Sequence, residues 1–271
     1  LLSDLHLHSF NSDGEATYSE LIQRAKALGL DAVSLTDHDT FGGVRDFLDE
    51  CQKQNLKAIS GIEISAFKDA EIHILGYNID PEADNPVNRE LGNLARARVK
   101  RIKMILDKLK KLNILISYDE ILQYYKTRSV SRTHIANLMV LKGYVKTKAE
   151  AFELYLSPNR PAFVDFYYFA PQEAVDIINQ SGGVPVLAHP FRINLDKTDL
   201  KDLVKRLADA GLKGIESYYP THSNDTINFC KKLAEKYNLI NTNGSDTHNI
   251  YDNLITNFET EQKTIEVLGL R

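Results

Sequence analysis

The chain has 271 residues, 43% hydrophobic and 26% charged, with a formal net charge of −4; a globular protein with a sizeable core is expected and a disordered polymer is excluded. It contains no run of 18 apolar residues and no signal-peptide pattern, so no membrane contact is expected and the expected location is cytoplasmic.

LLSDLHLHS reads as an opening strand. TYSELIQRAKALGL follows as a helix, with a capping box at Thr17 and Glu20 and Gly29 near its end. DAVSLTDHD is the next strand candidate, GVRDFLDECQKQN the next helix, and LKAISGIEIS and EIHILGYNI are further strands. After a long interval, GVPVLAHP, LKGIESYYP and YNLINTNGSDTH repeat the strand signal. PQEAVDIINQSGG, TDLKDLVKRLADAGL and NDTINFCKKLAEK are the helices of that half. Strand and helix in alternation predict an α/β fold with a mostly parallel sheet, and about seven strands favour a closed or nearly closed barrel. Cys51 and Cys230 lie in helical surroundings without CxxC spacing, as expected of reduced thiols rather than a disulfide.

Between these halves the pattern is helical throughout: NLARARVKRIKMILDKLKKLN, SYDEILQYY with its own capping box at Ser117 and Glu120, then SRTHIANLMVLKGY and TKAEAFELYL as a paired unit. The expected organisation is a barrel from 1–90 and 166–271 with an all-helical insertion at 91–165. Ala95 to Glu150 holds 14 Lys/Arg against 4 Asp/Glu. A local excess of that sign anticipates an anionic partner, phosphate or nucleic acid, although a solvated basic face would look the same.

Polar residues recur at strand ends. His6 and His8 are two apart on one strand and therefore point to the same side. Asp13 follows closely, His38 ends the second strand, Glu63 the third, His189 closes VPVLAHP, and Asp246 with His248 closes the last; His73 lies within EIHILGY. In an α/β barrel the carboxyl ends of the strands share one face, where such residues would converge. Singly, each has an ordinary explanation as a core histidine or a turn residue; together they predict a metal site. Imidazole and carboxylate donors without thiolate suit Zn, Mn or Fe(II). Nine donors exceed one tetrahedral ion, so two or three divalent ions sharing Glu63 as a bridge are expected.

The stretches DLHLHS, SDG, TDHDT, GIEIS, EIHILGYN, AHP and GSDTH resemble the motifs of the PHP family, the polymerase and histidinol phosphatase superfamily of metal-dependent phosphoesterases. The resemblance covers roughly 1–80 and 170–250. It implies a distorted (β/α)7 TIM-like barrel with a trinuclear centre. One ion would be held by His6, His8, Glu63 and Asp246, a second by Glu63, His73 and His189, a third by Asp13, His38 and His248. Asp37 and Asp39 would orient their neighbours. The insertion with SRTH and KGYVKTKAEAF, followed by HPFR, is similar to the nucleotide-hydrolysing branch, whose insert Arg and His are expected to grip phosphate. Here these are Arg132 and His134, with Arg192 and His222 as further candidates. Thr133 stands where that branch would have Pro.

The expected activity is hydrolysis of nucleotide monoesters, 5'-mononucleotides or 3',5'-bisphosphates, by in-line attack of a metal-bridging hydroxide. Arg132 and Arg192 would stabilise the phosphoryl oxygens, and His222 is a candidate proton donor to the leaving group. The alternatives are a 5'-3' exonuclease on short RNA or DNA, a histidinol phosphatase, and a DNA-binding sensor using the SRTH segment as a helix-turn-helix. No protein partner is implied.

Overall fold

The computed structural model describes residues 1–68, 70–125, 130–165, 169–249 and 258–270. The first half runs β1 (Leu2–Leu7), α1 (Tyr18–Ala27), β2 (Ala32–Leu35), α2 (Val44–Lys53), β3 (Lys57–Lys68) and β4 (Ala70–Tyr77). The middle consists of α3 (Pro86–Lys111), α4 (Tyr118–Tyr125), α5 (Arg132–Leu141) and the short α6 (Lys148–Ala151), which runs into a π-helical turn, Phe152–Leu156. The second half is α7 (Pro171–Gln180), β5 (Val184–Leu187), a 3₁₀ turn (Pro190–Ile193), α8 (Lys197–Asp209), β6 (Gly214–Tyr218), α9 (Asn224–Lys236), β7 (Ile240–Asn243), β8 (Phe258–Glu259) and α10 (Gln262–Leu268). Both predicted capping boxes form: Glu20 N–H donates to Thr17 Oγ1 at 3.2 Å and Glu120 N–H to Ser117 Oγ at 3.1 Å.

The eight strands form one sheet in the order β7-β6-β5-β4-β3-β2-β1-β8. Beyond β7 the chain returns to β1, where Asp246 N–H donates to the His6 carbonyl at 2.9 Å and His8 N–H to that of Thr247 at 3.1 Å. The sheet is therefore a nearly closed barrel, as expected. Two departures stand out. An eighth strand, described at Phe258–Glu259, was not anticipated and pairs antiparallel with β1. More important, β4 runs antiparallel to both β3 and β5. A parallel β3–β4 pair would need a crossover of a dozen or more residues, which this chain does not supply.

That reversal changes how the mouth is built. Glu63 comes from β3 on its way up, but His73 comes from the early part of β4 on its way down, with Ser65 opposite it. The position of His73 inside a strand, rather than at its carboxyl end, follows from this.

Barrel and insert have separate cores. Ile62, Ile64, Ile74, Leu187 and Ile215 pack with α7, α8 and α9 in one cluster. Ile102, Ile105, Leu109, Ile121, Ile135 and Met139 form another within α3, α4 and α5. The helix α3 begins before the anticipated boundary at 91 and serves both: Val87 and Leu94 belong to the barrel cluster, while Ile102 onward belongs to the insert. The other anticipated boundary, at 166, lies outside the described residues.

Candidate metal centre

The nine expected donors meet at the barrel mouth. His6 and His8 are fully buried and direct Nε2 toward Nε2 at 3.1 Å. Glu63, also fully buried, sits among five imidazoles. Its Oε2 lies 3.4 Å from His6 Nε2, 3.2 Å from His8 Nε2 and 3.0 Å from His38 Nδ1. Its Oε1 lies 2.9 Å from His73 Nδ1 and 3.0 Å from His189 Nε2. Asp246 Oδ1 approaches His8 Nε2 at 3.1 Å, and Asp13 Oδ1 approaches His248 Nε2 at 3.1 Å.

Three groups of donor atoms lie within 4.8 Å of one another: His6, His8, Glu63 and Asp246; His8, Asp13, His38 and His248; His38, Glu63 and His73. His8, His38 and Glu63 each belong to two groups, so neighbouring positions share walls. His189 approaches the third through Glu63 and through His73 Nδ1, 3.3 Å from its own Nε2.

The donor chemistry fits cations. Glu63 Oε2 and His38 Nδ1 are 3.0 Å apart, yet both are buried and neither makes a hydrogen bond; Asp13 Oδ1 is likewise without one. Buried polar atoms are rarely left so, and divalent ions would satisfy all three. Burial pushes His38 down to about 3, against the opposing pull of Glu63 and Asp13, leaving a neutral ring with a lone pair to offer. Burial also disfavours charge on Glu63, but His38, His73 and His6 outweigh it and hold its carboxyl well below the usual range. Likewise, burial of His6 is overcome by Glu216, Glu63 and Asp246, which hold its imidazole well above its ordinary value. A field that favours a proton this strongly favours a metal cation too.

Supporting residues fix these donors. On β6, Glu216 faces His6 Nδ1 at 3.0 Å and accepts the His189 backbone N–H at 2.7 Å. Asp37 accepts from Ser9 N–H, Ser9 Oγ and Ser12 Oγ at 2.5–2.7 Å, pinning the loop that carries Asp13. Asp39 accepts from Ser65 N–H at 2.8 Å and pairs with Arg98 of α3. His189 and Asp246 both hold positive φ, 25° and 54°, a conformation that costs non-glycine residues energy and concentrates at functional sites. A side chain at Gly244 would collide with His6 and Glu216, so only glycine allows that close approach. Glu216 was not anticipated from the sequence; its only trace is an acid in the otherwise apolar GIESYY.

Above the cluster lies a cavity of about 870 Å³. Arg132, the first residue of α5, lines it and pairs with Glu71; its Nη1 donates to the Leu156 carbonyl at 3.2 Å. Arg192 also lines it, donating to Tyr219 Oη at 2.9 Å and to Asp246 Oδ2 at 2.5 Å. The other two phosphate candidates are not among the residues lining it. His134 is buried, its Nδ1 accepts Ser131 N–H at 3.0 Å to complete the cap of α5, and burial pushes it down to about 4. His222 directs Nδ1 to the Ser217 carbonyl at 3.0 Å, with its ring against Tyr219 and Phe191. The sequence reading missed Arg98, Arg101, Arg160 and Glu71 on the cavity wall. Arg98 and Arg101, one turn apart on α3, were legible only as part of a basic helix.

Divalent ions bound by nitrogen and oxygen donors, with guanidinium groups above them, form the apparatus for cleaving phosphoric esters, and the protein is a metal-dependent hydrolase of that class. The PHP domain model matches residues 4–244, and the chain belongs to that family. It is 32% identical over 247 residues to a 3',5'-nucleoside bisphosphate phosphatase of Chromobacterium violaceum, covering 90% of this chain and 86% of that one. It is 31% identical to a 5'-3' exoribonuclease of Haemophilus influenzae, covering 90% and 89%. A Bifidobacterium adolescentis structure assigned as a metal-dependent phosphoesterase superposes with a TM-score of 0.87 at 26% identity, covering 98% and 94%. Among the described residues no helix is long and apolar enough to cross a membrane.

Proposed function

We propose that the substrates are phosphate monoesters of nucleotides, either 5'-mononucleotides or nucleoside 3',5'-bisphosphates. The observation that carries this is the cavity itself, with the donor cluster as its floor and Arg132, Arg101, Arg160 and Arg192 around its walls. Several guanidinium groups exceed what one small monoester needs, and a second anionic group or a polyanion would use them. The relatives named for a nucleoside bisphosphate and for RNA support the same class.

Two or three divalent ions, Mn, Fe or Zn, are assigned to His6, His8, Asp13, His38, Glu63, His73, His189, Asp246 and His248. When bound they would acidify water and neutralise phosphate charge. Arg132 and Arg192 bind and orient the phosphoryl oxygens by forked donation. His134 acts at one remove, holding the start of α5 and hence Arg132. Residues 91–165 cap the substrate. The two cysteines are free and buried, in keeping with action in the cytoplasm.

A 5'-3' exonuclease activity on short oligonucleotides is the second reading, favoured by the basic insert beside the cavity. Phosphate release is measured with 5'-mononucleotides, 3',5'-bisphosphates, short 5'-phosphorylated oligomers and histidinol phosphate, each with Mn, Zn and Fe(II). Turnover of the nucleotides, lost in Arg132→Ala while bound metal is retained, is the expected result. Turnover of histidinol phosphate alone would overturn both readings.

A further inference from the structure

Glu71 stands where the insert meets the barrel. It lies on β4 opposite Phe67, two pairing steps beyond Ser65 and His73, so the ladder carries it past the level of the metal ligands. Its Oε2 accepts from Arg132 Nη2; its Oε1 lies 3.4 Å from Arg101 Nη1 and 3.9 Å from His73 Nε2. The opposite edge of the same His73 ring faces Glu63 at 2.9 Å.

Further supports of the two arginines come from the insert. Arg132 reaches the Leu156 carbonyl, which the π-helical turn brings to it, and lies over the rings of Phe152 and Phe163 at 5.6 and 5.8 Å. Arg101 donates to the Val164 carbonyl at 2.8 Å. These contacts hold the guanidinium groups to one another's scaffold. Glu71 adds a tie to the barrel strand, since its carboxylate reaches both guanidinium groups and the edge of His73. Burial disfavours its charge, but Arg132, His73 and Arg101 outweigh that and hold its carboxyl well below the usual range. A lone carboxylate in a phosphate cavity would repel the substrate; one shared by two guanidinium groups leaves the wall net positive.

We propose that Glu71 is a positioning residue for the phosphate clamp, registering Arg132 and Arg101 of the insert against the barrel strand that carries the ligand His73, without touching substrate itself. The inference rests on the preceding reading only in taking Arg132 as a phosphate donor.

The test measures binding of inorganic phosphate to the metal-loaded protein by calorimetry, with bound metal counted in the same samples. Glu71→Gln is expected to weaken phosphate binding by about tenfold to a hundredfold, the range for a charge-assisted contact, at unchanged metal content. Arg132→Ala should weaken it comparably, and the double variant should lose no more than the worse single one, because both changes remove the same positioned group. Phosphate affinity in Glu71→Gln equal to or tighter than that of the unaltered protein overturns the proposal, as does a fully additive double variant. If Glu71→Gln does not fold, Glu71→Asp keeps the charge but shortens its reach; it should show an intermediate loss, and unaltered affinity there is equally fatal. Arg132→Ala binding phosphate normally would instead sink the clamp reading, a separate outcome from failure of the positioning role.

Discussion

His6 Nε2, on β1, faces Nε2 of His8, the residue just past that strand, at 3.1 Å. Two ring nitrogens at that distance can share one proton, or both can give their lone pairs to cations. The surrounding carboxylates favour positive charge at this point, and Glu63 Oε2 lies within 3.4 Å of both rings. The pair, His6 on β1 and His8 just beyond its end, thus offers two donor nitrogens to one point.

Glu63 is the most connected of the donors. Glu63→Gln keeps the size of the side chain but removes the charge that five imidazoles surround. Phosphoester hydrolysis should fall by more than about 100-fold, beyond the range usual for a merely supporting residue, and bound metal should fall with it. Circular dichroism is expected to remain that of the folded protein. Full metal occupancy in this variant would contradict the bridging role.

Glu216 lies behind the cluster and holds His6 through Nδ1 and His189 through its backbone. Glu216→Gln retains a hydrogen-bond acceptor but not the charge. Metal affinity, measured by competition with a chelator, should drop by about 10–100-fold, and added metal should restore activity. If the loss of activity persists at saturating metal, Glu216 does more than orient its neighbours.

His134, which is not among the nine candidate ligands, makes a pH prediction. Burial, only partly offset by Asp13, pushes it down to about 4 in the folded chain, whereas an unfolded histidine titrates near ~6.5. The unfolded state therefore takes up a proton that the folded state refuses. Above ~6.5 this group does not tilt the balance; as pH falls from there through about 4, stability declines, by up to ~3 kcal/mol from this residue. His134→Gln, which can still accept from Ser131 N–H, should flatten the melting temperature against pH between those limits. An unchanged slope would show that His134 is not the group responsible.

The convergence of the nine candidate donors was legible in the sequence because His6 and His8 share the two-residue period of a strand and because His38, His189, Asp246 and His248 follow closely on strand ends; Glu63 and His73 lie inside β3 and β4. The capping boxes at Thr17 and Ser117 were legible for a similarly local reason, a three-residue spacing that the backbone itself requires. Glu216 and Glu71 were not, since a single acid in an apolar strand gives no clue to which side chains will surround it. The reversed β4 escaped pattern reading because a strand's hydrophobic alternation is the same in either direction; only the missing crossover between Lys68 and Ala70 marks it. The five arginines lining the cavity, Arg98, Arg101, Arg132, Arg160 and Arg192, come from four separate segments, and for those on helices periodicity distinguishes a face turned to solvent from one turned to a cavity only through packing.

The reversal of β4 also sets what can vary. A parallel strand is bound to its neighbours by long crossovers, and its upper end is capped by whatever follows. Two consecutive antiparallel strands instead form a ribbon standing beside the mouth, and residues added in matched pairs at its tip would leave every pairing beneath in register. The height of the parapet that abuts the insert is therefore adjustable independently of the ligand geometry, giving evolution a way to admit longer or shorter substrates without disturbing the floor.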